Sequence, residues 1–131
     1  MAARTNSITI TLPLPPRELS PNARVHHHAR GRAVKKYRLI VWSLTYPHMA
    51  HEMRGNPVRW ATATEQATFY FRDRRHSDPD NLLAMLKPVW DELQVMGILA
   101  NDRYMTHLPV KVGIDAANPR VEITVSEGGA E

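Results

Sequence analysis

Apolar and polar residues alternate at Ile8, Ile10 and Leu12 against Thr9 and Thr11, the two-residue period of a strand with one buried face. Pro13, Pro15 and Pro16 end it, because proline has no N–H to give to a ladder. Residues 17–32 read as a loop, with Ser20-Pro21-Asn22, the run His26-His27-His28, and Gly31 between Arg30 and Arg32. From Ala33 to about Met53 the period lengthens to that of a helix. Val34, Tyr37, Ile40, Val41 and Leu44 form one stripe, and Lys35, Lys36 and Arg38 fall largely off it. Pro47 is expected to interrupt or end this helix, and Gly55-Asn56-Pro57 breaks the chain.

Ala67, Phe69 and Phe71 alternate with Thr68, Tyr70 and Arg72, a second strand. A second helix is predicted from Pro79, with Ser77 or Asp78 as its cap and proline in the first helical position. Leu82, Leu83, Leu86, Val89, Trp90 and Leu93 supply its apolar face. Pro88 should kink or divide it, and Gly97 closes it. Leu108, Val110, Val112 and Ile114 suggest a third strand, with Pro109 marking an edge or a bulge. Val121, Ile123 and Val125 form the last strand, after a turn at Asn118-Pro119, and the tail from Gly128 is expected to fray. The order β-α-β-α-β-β predicts an α+β fold: a small mixed sheet with two main helices packed against it.

Length and composition add a single domain over residues 1–131, with an ordered core of about 6–126, and room for a real hydrophobic core. A formal charge of +4 and a pI near 9.8 favour a phosphate-bearing partner. The absence of cysteine excludes disulfides, thiolate zinc sites and cysteine nucleophiles, and fits a reducing cytoplasm. No apolar run approaches a signal peptide or the ~20 residues of a membrane span, so a soluble chain with no membrane partner is expected.

The densest chemistry lies at Arg74-Arg75-His76-Ser77-Asp78-Pro79-Asp80-Asn81, with Lys87 and Asp102 downstream. Asp78 and Asp80 lie one residue apart where a strand gives way to a helix, so their carboxylates can converge. Mg²⁺ takes oxygen ligands at ~2.1 Å, commonly one or two carboxylates completed by water and substrate phosphate. On its own an Asp-x-Asp ahead of a helix also serves as a cap in a solvated turn, where the dipole favours negative charge. Asp102 reaches the same point only if the chain crosses back after the second helix. Lys87 follows Asp80 by seven residues, which on one continuous helix returns to nearly the same face. Its ammonium could then offset charge on a phosphate, or it is a solvated surface lysine. Arg30, Arg32, Lys35, Lys36, Arg74 and Arg75 are candidate phosphate contacts or, equally, a solvated basic face. His26, His27 and His28 could ligate a metal, but a triplet without a second histidine pair reads more simply as a polar loop. His76 is a candidate base or a turn residue, and Trp90 reads as core or dimer interface.

With these residues in view, the chain resembles the RusA family of Holliday junction resolvases, carried mostly by bacteriophages and prophages. The similarity runs from Ile8 to Val125. It takes in Ile-Thr-Leu-Pro-Leu-Pro-Pro at 10–16, Asn22, Arg30-Gly31-Arg32, and Asp78-Pro79-Asp80-Asn81-Leu82. It continues through Lys87-Pro88-Val89-Trp90-Asp91-Glu92-Leu93, Gly97 and Asn101-Asp102. The resemblance implies that Asp78, Asp80 and Asp102 are catalytic metal-binding carboxylates assisted by Lys87. It further implies that Mg²⁺ (or Mn²⁺) is the cofactor, and that a homodimer cuts a four-way DNA junction by paired symmetric nicks during recombination and repair. Two positions depart from the family pattern. The family lysine commonly stands four residues after the second aspartate, where this chain has Ala84, and a paired Asp-Asp is common where this chain has Asn101-Asp102.

Two other functions fit the same residues. One is a non-catalytic nucleic-acid-binding protein of the same fold, which would hold a junction without Mg²⁺ and never cut it. The other is an enzyme acting on a small phosphorylated substrate, which calls for a deep pocket and little salt sensitivity toward DNA.

Overall fold

A computed structural model of the chain describes residues 7–52, 60–74 and 79–129. Its elements run β1 (Ser7–Leu12), α1 (His27–Glu52), β2 (Ala63–Phe71), α2 (Pro79–Ala84), α3 (Lys87–Val95), β3 (Met105–His107), β4 (Lys111–Ile114) and β5 (Arg120–Glu127). Short 3₁₀ turns at Arg17–Leu19 and Asp102–Tyr104 precede α1 and β3. The class is α+β, as the pattern predicts, but the order is β-α-β-α-α-β-β-β.

The sheet is mixed. Its order is β1-β5-β2-β3, with β4 also on β2 beyond β3. β5 pairs antiparallel with both β1 and β2, whereas β3 and β4 run parallel to β2. Parallel neighbours need a long crossover, and α2 and α3 lie within it.

Period-two alternation sorts the faces. Ile8, Ile10 and Leu12 stand opposite Val125, Ile123 and Val121, all buried, and Phe69 and Ala67 continue two of these rows onto β2. Thr9 and Thr124 meet at 3.2 Å between hydroxyl oxygens on the other, solvated face. On that face the Arg120 guanidinium lies 4.1 Å from the Tyr70 ring centre and pairs with Asp115 and Glu122, bracing the turn into β5. The hydrogen bonds of Arg120 hold the Asp115 carboxyl below its ordinary range.

α1 departs from the expected pattern in three ways. It begins at His27, six residues before Ala33, so Arg30, Gly31 and Arg32 are helical and not loop. It also continues through Pro47 to Glu52. Pro47 is exposed there, so the carbonyl left without its amide partner can turn to water. Its buried stripe is Tyr37, Val41 and Thr45, spaced four apart, whereas Leu44 is exposed and Val34 and Ile40 are half-buried. The Tyr37 hydroxyl donates to the Pro13 carbonyl at 2.7 Å, fastening α1 to the proline segment after β1.

Pro88 divides the second helix instead of kinking it. α2 ends at Ala84 and α3 starts at Lys87, with Pro88 in its first turn, where the missing N–H costs nothing. α3 buries Pro88, Val89, Trp90 and Leu93, so Trp90 is a core residue in this chain. Gly97, at φ 83°, lets the backbone turn out of the helix. A 2.9 Å bond from Arg38 Nε to Glu92 Oε2 ties α1 to α3.

Of the predicted third strand only Lys111–Ile114 forms, as β4 against the second half of β2. Leu108-Pro109-Val110 is not strand, and β3, just upstream of it at Met105–His107, pairs with the first half of β2 without having been predicted. Val112 and Ile114 are exposed on this edge. Gly128 is not frayed: its N–H donates to the Thr62 carbonyl at 2.9 Å and its own carbonyl accepts from Thr64 Oγ1 at 2.7 Å.

Candidate functional site

Asp80 is the second residue of α2, exposed in its first turn. Among the described residues it makes no hydrogen bond or ion pair. Asp78 lies outside the described residues, as do its neighbours Arg75, His76 and Ser77. Asp102 opens the 3₁₀ turn into β3, and its side chain also lies outside the described set. Between Asp80 and Asp102 the chain passes from the end of β2 to its start, because β3 is parallel to β2. The stretch holding Asp80 follows Phe71 at the end of β2, and the Asp102 turn precedes Met105, which stands opposite Ala63 at its start. That turn packs on α3.

Lys87 is the first residue of α3 and therefore not on the helix that carries Asp80. The break at Met85-Leu86 removes the continuous helical face that a seven-residue spacing would share. Lys87 Nζ pairs with Asp91 at 2.9 Å, one turn along α3. Asn101, where a second carboxylate would stand, instead caps the turn: its Oδ1 accepts the Arg103 N–H at 3.0 Å.

The candidate phosphate contacts divide. Arg30 donates from both terminal nitrogens to the Ser20 and Ala23 carbonyls at 3.1 and 3.0 Å, which turns its guanidinium onto the preceding loop. Arg32, Lys35, Lys36 and Arg74 are exposed, and none is in an ion pair among the described residues. On α1 these cations flank a groove of about 870 Å³ lined also by Leu39 and Trp42. Trp42 and Tyr46 stack one turn apart, ring centres 5.1 Å and planes 20° apart. Sequence reasoning missed this aromatic pair, although Leu39, Trp42 and Tyr46 recur at helical spacing.

His26, His27 and His28 have ligand nitrogens within 4.8 Å of one another, all exposed. The His28 N–H donates to His26 Nδ1 at 3.2 Å, so one of these nitrogens is already engaged. The trio stands at the start of α1, and His27 lines the same groove as Arg30, Arg32, Lys35, Lys36 and Arg38, a setting that disfavours another positive charge.

A buried carboxylate also escaped the sequence reading. Glu65 is 0 % exposed on the inner face of β2, and its Oε2 lies 2.7 Å from His107 Nδ1 on β3. Its Oε1 is buried without a hydrogen-bond partner. Burial pushes the Glu65 carboxyl above its ordinary range, with the His107 hydrogen bond acting the other way. The signal was available, because Ala63, Glu65, Ala67 and Phe69 share one period-two face once β2 is extended upstream.

Among the described residues no helix is long and apolar enough to cross a membrane. No family model matches the chain. Over 111 residues it is 31 % identical to an uncharacterized protein of Xylella fastidiosa (strain Temecula1 / ATCC 700964), the match covering 82 % of this chain and 69 % of that protein. At that identity and coverage, the chain belongs to the same family as the Xylella protein.

Proposed function

We propose that this chain is a metal-dependent endonuclease of the RusA type, acting as a homodimer on four-way DNA junctions. One observation carries the reading: Asp80 stands exposed in the first turn of α2, directly after Asp78-Pro79 in the sequence, and has no partner among the described residues. It lies past the capping position, so a cap does not account for it. An open carboxylate fits a hard cation, and the sequence supplies Asp78 and Asp102 as companions. These three residues would hold Mg²⁺ or Mn²⁺, which when bound supplies Lewis acidity and an activated water. Lys87 offsets negative charge on the phosphate from the start of α3. Arg32, Lys35, Lys36, Arg74 and Arg75 hold backbone phosphates, with Arg30 contributing its charge from behind the loop. Two identical sites on a two-fold substrate make paired nicks.

The test is incubation with a mobile four-way junction, a linear duplex and a single strand, in Mg²⁺, Mn²⁺ or EDTA. Nicking of the junction that EDTA stops and Asp80→Asn abolishes is the expected result. Junction left intact in both metals would overturn the reading, and undiminished cutting by Asp80→Asn would overturn the assigned site. A non-catalytic nucleic-acid-binding protein is the second reading. It is favoured by the separation of Lys87 from the helix of Asp80 and by its pairing with Asp91. That reading expects junction binding in EDTA and no product in either metal.

A further inference from the structure

We propose that the outer face of α1 binds a single nucleic-acid strand, with a base stacked on Trp42 and phosphates held by Arg32, Lys35 and Lys36. The inference rests on the chain being a nucleic-acid-binding protein, whether or not it cleaves.

The face is built from helical spacing. Lys35, Leu39, Trp42 and Tyr46 follow one another at three or four residues, so they line up along one side of α1. That side is not in the core, which takes Tyr37, Val41 and Thr45. Trp42 is 43 % exposed and Tyr46 45 % exposed, a large apolar surface to leave in water. The two rings support each other at 5.1 Å, which holds Trp42 ready as a platform.

Charge identifies the occupant. Arg32, Lys35 and Lys36 are unpaired among the described residues, while the carboxylate lining the same groove, Glu92, is matched by Arg38 at 2.9 Å. The groove is thus positive and awaits an anion. A second copy of this chain placed two-fold on the same face would set these cations against themselves. A phosphodiester strand meets them favourably, and its bases meet the aromatic pair.

The aromatic pair also selects the form of nucleic acid. Duplex offers α1 its phosphates but keeps its bases stacked on one another. A single strand, or the opened strands at a branch, presents a free base face. Cationic grooves combined with aromatic platforms are the general means of holding single strands.

Trp60 and Trp90 are 1 % and 4 % exposed, so among the tryptophans Trp42 alone reports contact at the surface. The experiment titrates the protein in EDTA with a dT₁₂ strand, a linear duplex of equal length, and an acidic polyglutamate peptide, reading tryptophan emission. Quenching by dT₁₂ at lower concentration than by duplex or peptide is expected. Trp42→Leu should weaken dT₁₂ binding roughly tenfold, the scale of one stacked base, and Trp42→Phe should restore most of it. Changing Arg32, Lys35 and Lys36 together to alanine should lower the salt dependence by about 2 in log–log slope. A dT₁₂ strand carrying 2-aminopurine gives the readout for the Trp42 variants, which lack the reporting tryptophan, and a second one on the unmodified protein, since its emission falls when the base is stacked.

Unchanged affinity in Trp42→Leu, or 2-aminopurine emission unaltered on binding, would overturn the proposal. Tighter binding of the acidic peptide would assign the face to a protein partner instead. A dimer that dissociates in Trp42→Leu, without quenching by dT₁₂, would assign it to a second copy. Asp80→Asn separates the two proposals, for it should abolish junction cutting and leave dT₁₂ quenching intact. An uncut junction with intact quenching removes the nuclease alone. Cut junction without quenching removes the strand site alone.

Discussion

Glu65 and His107 stand directly opposite each other on the parallel β2–β3 pair, with Oε2 of the first 2.7 Å from Nδ1 of the second. The sheet row they occupy continues through Val125 and Ile8, both buried and apolar. His107 is also packed on Trp90, ring centres 5.3 Å apart, so the pair joins α3 to the sheet edge. Because burial raises the Glu65 carboxyl above its ordinary value of 4.5, the folded chain holds that proton more tightly than the unfolded chain does. The stabilising contribution is therefore fully present below about pH 4.5 and is lost as pH rises through the folded value. Urea unfolding of wild type and Glu65→Gln from pH 4 to 8 measures it. The difference between them should shift toward the variant as pH rises, by at most about 1.4 kcal/mol per pH unit. A difference that stays flat would mean that Glu65 ionises as readily in the fold as outside it.

Removing the partner should cost more than removing the charge. His107→Ala leaves both Glu65 oxygens without a hydrogen bond, since Oε1 is already buried and unpaired. The expected loss is about 1–3 kcal/mol at neutral pH, the cost of a stranded buried polar group. In the double variant with Glu65→Leu much of that loss should vanish, because no carboxylate remains to strand. Purely additive losses in the cycle would show that His107 acts through its packing on Trp90 alone.

The same pair marks the limit of what periodicity reveals. Strand alternation located β1, β5 and the inner face of β2, since one apolar residue in two is a strong signal. The parallel edge was harder, because Pro109 splits a run whose apolar residues Val112 and Ile114 face water. α1 started early because Ala29, Gly31 and Ala33 offered no apolar stripe to announce it, while contacts with the loop at 20–23 and the core hold it in place. At the acidic block the placement was legible: Asp80 is exposed at a helix start, where the sequence put it. The helix break at Met85-Leu86 was only half legible. Proline at 88 announces a discontinuity, but whether a helix bends or restarts depends on packing, and here Leu86 and Val89 bury completely on either side of it.

Tyr37 offers a test of how α1 is anchored. Its hydroxyl donates to the Pro13 carbonyl at 2.7 Å, and burial raises the phenol well above the ordinary tyrosine value. Tyr37→Phe keeps the ring in the core and deletes that one bond, leaving the Pro13 carbonyl to find water. A loss of about 1 kcal/mol is expected, read as a lower urea midpoint with an unchanged slope. Amide exchange over residues 13–20 should quicken as well, since the bond fixes that segment to the helix. No change in either measurement would leave the anchoring to the apolar contacts of Leu14 and Leu19.

Lys87 separates catalysis from stability. Its pairing with Asp91 is between side chains 60 % and 37 % exposed, and such surface pairs contribute at most a few tenths of a kcal/mol. Lys87→Ala should therefore shift the unfolding midpoint little. If its ammonium offsets charge on the scissile phosphate, the same change should slow junction cutting by about a hundredfold or more while leaving junction affinity in EDTA within a few fold. Asp91→Asn provides the control, because it releases the lysine from this pair without removing it. That variant should cut at least as fast as wild type. Equal slowing by Lys87→Ala and Asp91→Asn would make the pair a structural feature of the first turns of α3, and Lys87→Ala cutting at the wild-type rate would remove the lysine from the site.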